Sequence, residues 1–133
     1  MNELLGLLSN QLFFFLDPHG YSIVASQGVA TGNAYLDLKR GSLIWRLTRD
    51  KMQVSLDLRF EGGRDDVSYS TAILKRWVSG TRDDSAALLT PDVARWVRAH
   101  LEEIEAAVAG ELRMDTVRAW TALQRLSTKE LFG

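Results

Sequence analysis

Residues 33–60 read NAYLDLKRGSLIWRLTRDKMQVSLDLRF, and the pattern of this stretch decides the predicted fold. Apolar and polar side chains alternate over three short segments, which is typical of strands that bury one face. A two-residue turn at Arg40 and Gly41 joins the first two segments, since glycine tolerates a positive φ. Asp50 and Lys51 are predicted to form the second turn, with a looser loop of three to five residues as the alternative, because this dipeptide is a poorer turn former than Asp-Gly. The stretch therefore predicts a three-stranded antiparallel meander.

Pairing across these turns predicts which side chains share a face. With turns at 40–41 and 50–51, Leu36 lies opposite Trp45, which in turn lies opposite Leu56. A slip of one residue in either hairpin would place leucines opposite charged side chains, so the choice of buried face is strongly specified. We expect the face that carries Leu36, Trp45 and Leu56 to be part of the core.

The other face of the meander is the candidate functional surface. The same pairing places Tyr35 beside Arg46, and it places Arg46 diagonally between Asp37 and Asp57. Tyrosine and arginine are enriched among the residues that dominate protein interfaces. The predicted partner-binding residues are Tyr35, Asp37, Arg46, Asp57 and Arg59. The alternative interpretation is a solvated face whose interleaved charges discourage aggregation.

Helices are predicted before and after the meander. Leucines and phenylalanines at helical spacing predict a first helix at 2–16, and a strand at 21–26 is expected to pair with 33–39. A second helix is predicted at 67–78 with Asp66 as its N-cap. The order of helix, antiparallel strands and helices predicts an α+β fold with about four strands.

Two more helices complete the prediction. Thr90 followed by proline predicts a helix start, with the helix running over 91–109 and burying a stripe of valine, leucine and isoleucine. Gly110 either ends that helix or precedes a last one, and residues 127–130 fit a capping box that starts one final turn. Three C-terminal helices are therefore expected to pack on the apolar face of the sheet. No linker or repeat divides the chain, so one domain over 1–133 is predicted.

Composition narrows the classes of function. The chain has 133 residues with 16 basic and 17 acidic side chains, which disfavours a nucleic-acid or anionic-membrane surface. It has no cysteine, which excludes thiolate nucleophiles and disulfides and fits a reducing compartment. The apolar segment 4–16 is too short to span a bilayer and lacks the features of a signal peptide. We therefore predict a cytoplasmic protein that does not bind membranes.

The chain contains no recognisable catalytic motif. His19 and His100 are its two histidines, and only His100 with Glu103 has a spacing that offers two metal ligands. A solvated helix face is the preferred interpretation of that pair, because no third ligand is identified. No G-x-S-x-G elbow or phosphate-binding glycine loop is present. The prediction is a protein that is not an enzyme and has no cofactor and no metal.

Two segments carry a resemblance to known proteins. Residues 15–21, FLDPHGY, and residues 47–54, LTRDKMQV, resemble a group of small bacterial proteins of unassigned activity, some of which resemble immunity proteins of polymorphic toxin systems. The resemblance covers about 15–60 and transfers no catalytic residue. It implies a non-enzymatic protein that neutralises a toxin by direct protein–protein binding.

Two other classes of function stay open at this point. A small-molecule or enzymatic site is possible in a pocket between the sheet and the helices near Trp77 and Trp96. A self-associating structural subunit is the third class, which an exposed Trp96 would favour. Core packing is the preferred interpretation of all four tryptophans, although Trp96 lies one residue off the apolar stripe of its helix.

Overall fold

The computed structural model of this protein describes residues 2–28, 33–63 and 67–132. The described residues contain the strands β1 (Ser22–Gly28), β2 (Ala34–Arg40), β3 (Leu43–Asp50), β4 (Gln53–Phe60) and β5 (Tyr69–Ser70). These strands form an antiparallel sheet in the order β1-β2-β3-β4-β5. The α-helices in the described part of the chain are α1 (Asn2–Asn10), α2 (Thr71–Ser79), α3 (Pro91–Ala107) and α4 (Arg113–Phe132), so one precedes the sheet in sequence and three follow it. The predicted α+β class is confirmed.

The predicted apolar face of the sheet is confirmed. In both hairpins, however, the observed register differs from the predicted register by two residues. Leu36 lies opposite Leu47, and Trp45 lies between Leu38 and Leu58. The turns are at 41–42 and 51–52, since Gly41 and Lys51 each adopt the left-handed backbone conformation at the first turn position. A shift of two residues keeps every side chain on its predicted face.

The helices pack on this apolar face and enclose one hydrophobic core. The ring of Phe15 contacts the ring of Trp45, and the two ring centroids are 5.4 Å apart. Trp120 of α4 stacks on Phe60 and tilts against Tyr69, with centroids 6.5 and 5.3 Å apart. The aromatic contacts thus join the N-terminal segment to β3, and α4 to the far edge of the sheet.

The first two helices are shorter than predicted. α1 ends at Asn10 instead of residue 16, and Phe13–Phe15 forms a separate 3₁₀ turn that places Phe14 and Phe15 in the core. α2 begins at Thr71 instead of residue 67, because Tyr69 and Ser70 pair with Leu58 and Asp57 as a short fifth strand. Ser70 is the observed N-cap, its hydroxyl accepting from the backbone N–H of Ile73 at 3.3 Å. The predicted cap, Asp66, lies outside the described residues.

In the C-terminal helices, one of the two predicted helix starts is confirmed and the other is wrong. Thr90 caps α3 by accepting from the Val93 N–H at 3.2 Å, and the predicted apolar stripe of α3 is buried. The predicted start of a final turn at 127–130 is wrong, because these residues lie inside the continuous helix α4. Ser127 accepts from the Arg76 guanidinium at 2.9 Å and Glu130 binds the same arginine, so both side chains serve tertiary contacts.

The tryptophans divide into two pairs. Trp45 and Trp120 are fully buried, whereas Trp77 and Trp96 are half-buried at the edge of the core. Trp96 stacks on His100 with ring centroids 4.5 Å apart. Trp77 packs edge-on against Trp120 at 5.8 Å.

Candidate functional site

The polar face of the sheet carries a row of three charged side chains on neighbouring strands. Asp37 of β2 lies directly opposite Arg46 of β3, and Arg46 lies directly opposite Asp57 of β4. Sequence pairing had predicted a diagonal arrangement, and the shift of two residues in both hairpins converts it into a straight row. Directly opposed side chains on one face are the closest pairs that a sheet offers. The register therefore brings one guanidinium between two carboxylates.

Arg46 is held by two contacts of different kinds. Its Nε and Nη2 donate to the two carboxylate oxygens of Asp37 at 2.7 and 2.9 Å, which is the bidentate geometry of a strong charge-assisted pair. Its guanidinium carbon lies 4.0 Å from the centre of the Tyr35 ring, a cation–π contact. The arginine is thus fixed in one orientation while 28% of its side chain stays exposed.

Asp37 and Asp57 differ in how they are compensated. The Asp37 side chain is only 9% exposed, and the bidentate contact with Arg46 satisfies both of its oxygens. Burial raises the pKa of Asp57, and the nearby Arg59 and Arg46 oppose that rise without cancelling it. Asp57 is therefore the less compensated carboxylate of the row, and its charged form is disfavoured in the folded protein.

Arg59 and Lys39 extend the charged surface along the strands. Arg59 lies opposite Ile44, which itself lies opposite Lys39, so this second row is adjacent to the first. Lys39 donates to Glu61 at 2.7 Å. Among the described residues, the buried Nε of Arg59 has no hydrogen-bond partner. A buried donor without a partner costs free energy in the folded protein.

All five predicted site residues lie on this one face. We call it the polar face and define it by Tyr35, Asp37, Arg46, Asp57 and Arg59. The leucines of these strands and Trp45 point to the opposite side, where the helices pack, whereas Ile44 lies on the polar face. The face is a surface of half-buried side chains rather than a deep pocket, a geometry that suits a protein partner better than a small molecule.

Sequence reasoning did not anticipate a cleft next to the polar face. It has a volume of about 270 Å³ and is lined by residues at one end of β1, β2 and β3, including Gln27, Tyr35 and Thr48. Because the residues of this cleft belong to three strands, the cleft could be predicted only from the register of those strands. No local sequence motif indicates it. Tyr35 is shared between the cleft and the polar face.

A second polar cluster was also missed, because its members are far apart in sequence. Glu105 of α3 accepts from the Tyr21 hydroxyl at 2.9 Å and from Arg40 at 3.3 Å, and His19 lies 3.8 Å from the same carboxylate. Burial, followed by the Glu105 charge, raises the pKa of Tyr21 well above its usual range, so this phenol stays protonated. The cluster ties the N-terminal turn to α3, which is a structural role.

The other residues that the sequence singles out, His100, Trp77 and Trp96, have ordinary surroundings. His100 directs Nδ1 to the Trp96 carbonyl at 2.9 Å, which is a contact within its own helix. Trp77 and Trp96 do not line the cleft next to the polar face. In the described part of the chain, no three His, Asp or Glu side chains converge as a metal site, and no helix combines the length and apolar character needed to cross a membrane.

Comparison with protein-family models, with curated proteins and with solved structures returned no match.

Proposed function

We propose that this chain is a non-enzymatic binding protein that uses the polar face to bind a partner protein, and that the partner is a bacterial toxin which the chain neutralises. The observation that carries the binding proposal is the unit formed by Tyr35, Arg46 and Asp37. The toxin part rests on the resemblance of residues 15–21 and 47–54 to immunity-type proteins. Such a protein acts in the cytoplasm, which is where we place it.

The unit formed by Tyr35, Arg46 and Asp37 is suited to binding because it is ordered before a partner arrives. Immobilising a flexible side chain at an interface costs roughly 0.5–1.5 kcal/mol. Arg46 has already lost that freedom through its bidentate contact with Asp37 and its contact with the Tyr35 ring. Tyrosine and arginine are also the residue types that most often dominate an interface.

The remaining residues of the polar face, Arg59 and Asp57, carry charges that a partner of opposite charge can pair with. The Arg59 side chain is half-buried on this face, and Asp57 is a carboxylate that burial destabilises in its charged form. A partner that brings a carboxylate to Arg59 and a cation to Asp57 would pair with both groups. The preferred partner surface therefore carries charges of both signs around an aromatic or aliphatic centre.

Co-expression in a surrogate bacterium tests the whole proposal. Genes that neighbour this one in its native host would be expressed singly and then together with this chain. We expect one gene to arrest growth alone and to be tolerated in the presence of the chain. Protection should be lost with Arg46→Glu and retained with Arg98→Glu, a matched reversal at an exposed arginine on α3. Equal protection by both variants would exclude the polar face as the binding surface.

A further inference from the structure

A groove runs between α2 and the C-terminal half of α4. It consists of two adjoining clefts of about 320 and 610 Å³, and both are lined by Ser70, Ile73, Ser127 and Leu131. Ile73 is almost fully buried, whereas Leu131 is 63% exposed. The stripe of α4 that begins at the buried Trp120 therefore loses its cover towards the C-terminal end of the helix. This open end leaves room for an apolar side chain of another molecule.

One wall of the groove already binds a carboxylate. Arg76 Nη2 donates to Glu130 Oε1 at 2.9 Å, and Arg82 Nη1 donates to Glu130 Oε2 at 2.6 Å. These two arginines come from α2 and from the segment after it, while Glu130 comes from the last turns of α4. Two guanidiniums on one carboxylate form a specific carboxylate-recognition geometry.

The other wall carries two cations. Arg125 and Lys129 line the larger cleft, and no acidic group among the described residues pairs with either of them. Both side chains are exposed on α4. The groove thus combines an apolar strip, an occupied carboxylate site and two positive charges that no described acidic group neutralises.

We propose that this groove binds an acidic segment of a partner protein, with one carboxylate of that segment replacing Glu130 on Arg76 and Arg82. Further carboxylates of the segment pair with Arg125 and Lys129, and an apolar side chain packs between Ile73 and Leu131. Glu130 then acts as an internal competitor that occupies the site when the partner is absent.

The charges of the groove favour an acidic peptide over a nucleic acid. Asp83 and Asp84 line the smaller cleft beside Arg82. A phosphate backbone would have to run past these carboxylates and Glu130, whereas a peptide can place its acidic residues only where the cations lie. The proposal concerns residues outside the polar face and does not depend on the proposed function.

Fluorescence anisotropy with the purified full chain tests the proposal. The probe is a short labelled peptide that alternates glutamate with leucine, and the comparison probes are the same peptide with lysine for glutamate and a single-stranded DNA oligonucleotide. We expect saturable binding of the glutamate peptide only. Equal binding of the lysine peptide, preference for the oligonucleotide, or no saturable binding would overturn the proposal.

Variants then locate the binding site. Arg125→Glu and Lys129→Glu should each weaken binding about fivefold, which corresponds to roughly 1 kcal/mol for an exposed ion pair. Glu130→Gln should strengthen binding by a similar factor, an effect that loss of a purely structural contact would not produce. Arg98→Glu should bind as the unchanged chain does. A Glu130→Gln variant without tighter binding, or an Arg98→Glu variant as weak as Arg125→Glu, would contradict the assignment.

Discussion

At the scale of single residues, Arg46 is the centre of the polar face, because it contacts or lies opposite three of the other four residues that define this face. It is bound to Asp37 through two hydrogen bonds, stacked on Tyr35 and placed directly opposite Asp57. The Asp37 side chain is only 9% exposed, so its pair with Arg46 also stabilises the fold, because a buried carboxylate without its cation is costly. The preference of binding surfaces for ordered arginine and tyrosine is the basis of the binding role that we propose.

Asp57 provides a residue-scale prediction about pH. Because burial raises its pKa above the value in the unfolded chain, the folded protein takes up a proton at higher pH than the unfolded chain does. This group therefore adds stability as pH falls through the folded-state pKa and removes stability as pH rises. Asp57→Asn should increase the free energy of unfolding near neutral pH, and the increase should shrink in mildly acidic solution.

Urea unfolding at neutral pH and in mildly acidic solution would measure this difference, because the stability contributed by a group with a raised pKa increases as pH falls below its folded-state pKa. Asp50→Asn removes one negative charge from the exposed end of β3 and is the matched control. A variant at Asp57 that is less stable than the unchanged protein at neutral pH would show that its contacts with Arg46 and Arg59 outweigh its burial.

At the scale of secondary-structure elements, the hairpins show how far sequence can predict this fold. The alternation of apolar residues was sufficient to assign the faces of β2, β3 and β4, because a one-residue slip would bury charges. It could not decide between registers that differ by two residues, since both bury the same leucines. The choice depends on which residues occupy the turn, and Lys51 was not recognisable as a residue with positive φ.

Trp45 tests the assignment of the buried face. It is fully buried between Leu38 and Leu58 and contacts Phe15, so Trp45→Ala should lower the free energy of unfolding by about 3–5 kcal/mol. Trp96→Ala removes the same side chain at the edge of the core and should lower it by roughly 1 kcal/mol. Chemical denaturation of both variants would measure the contrast, and equal losses would contradict this view of the core.

Thr90 tests the start of α3. Its hydroxyl accepts from the Val93 N–H, so Thr90→Ala should lower the free energy of unfolding by about 1 kcal/mol. Thr128→Ala makes the same substitution inside α4 at an exposed position, where alanine has the higher helix propensity and no cap is lost. Thermal unfolding should therefore show a lower Tm for the first variant only. A decrease of equal size in both would mean that the cap contributes nothing.

At the scale of the whole molecule, the helices cover one face of the sheet, and the polar face, which we propose as the binding surface, lies on the other. The α+β class followed from the order of periodic patterns along the chain. The contacts that orient the layers did not, since they join residues distant in sequence: Tyr21 and Arg40 with Glu105, and Arg76 with Glu130. The same limit applied to the candidate site, where sequence pairing named all five residues but could not place Arg46 in line with both aspartates.

The affinity of the identified partner for variants of the polar face tests whether this face is the binding surface. Once co-expression has identified that partner, titration calorimetry with the unchanged chain, Tyr35→Ala, Arg46→Glu and Arg98→Glu would measure the dissociation constants. We expect Tyr35→Ala and Arg46→Glu to weaken binding at least about 30-fold, the equivalent of roughly 2 kcal/mol for a dominant interface residue, and Arg98→Glu to leave binding unchanged. Unchanged affinity for both Tyr35→Ala and Arg46→Glu, in variants that remain folded, would contradict this expectation.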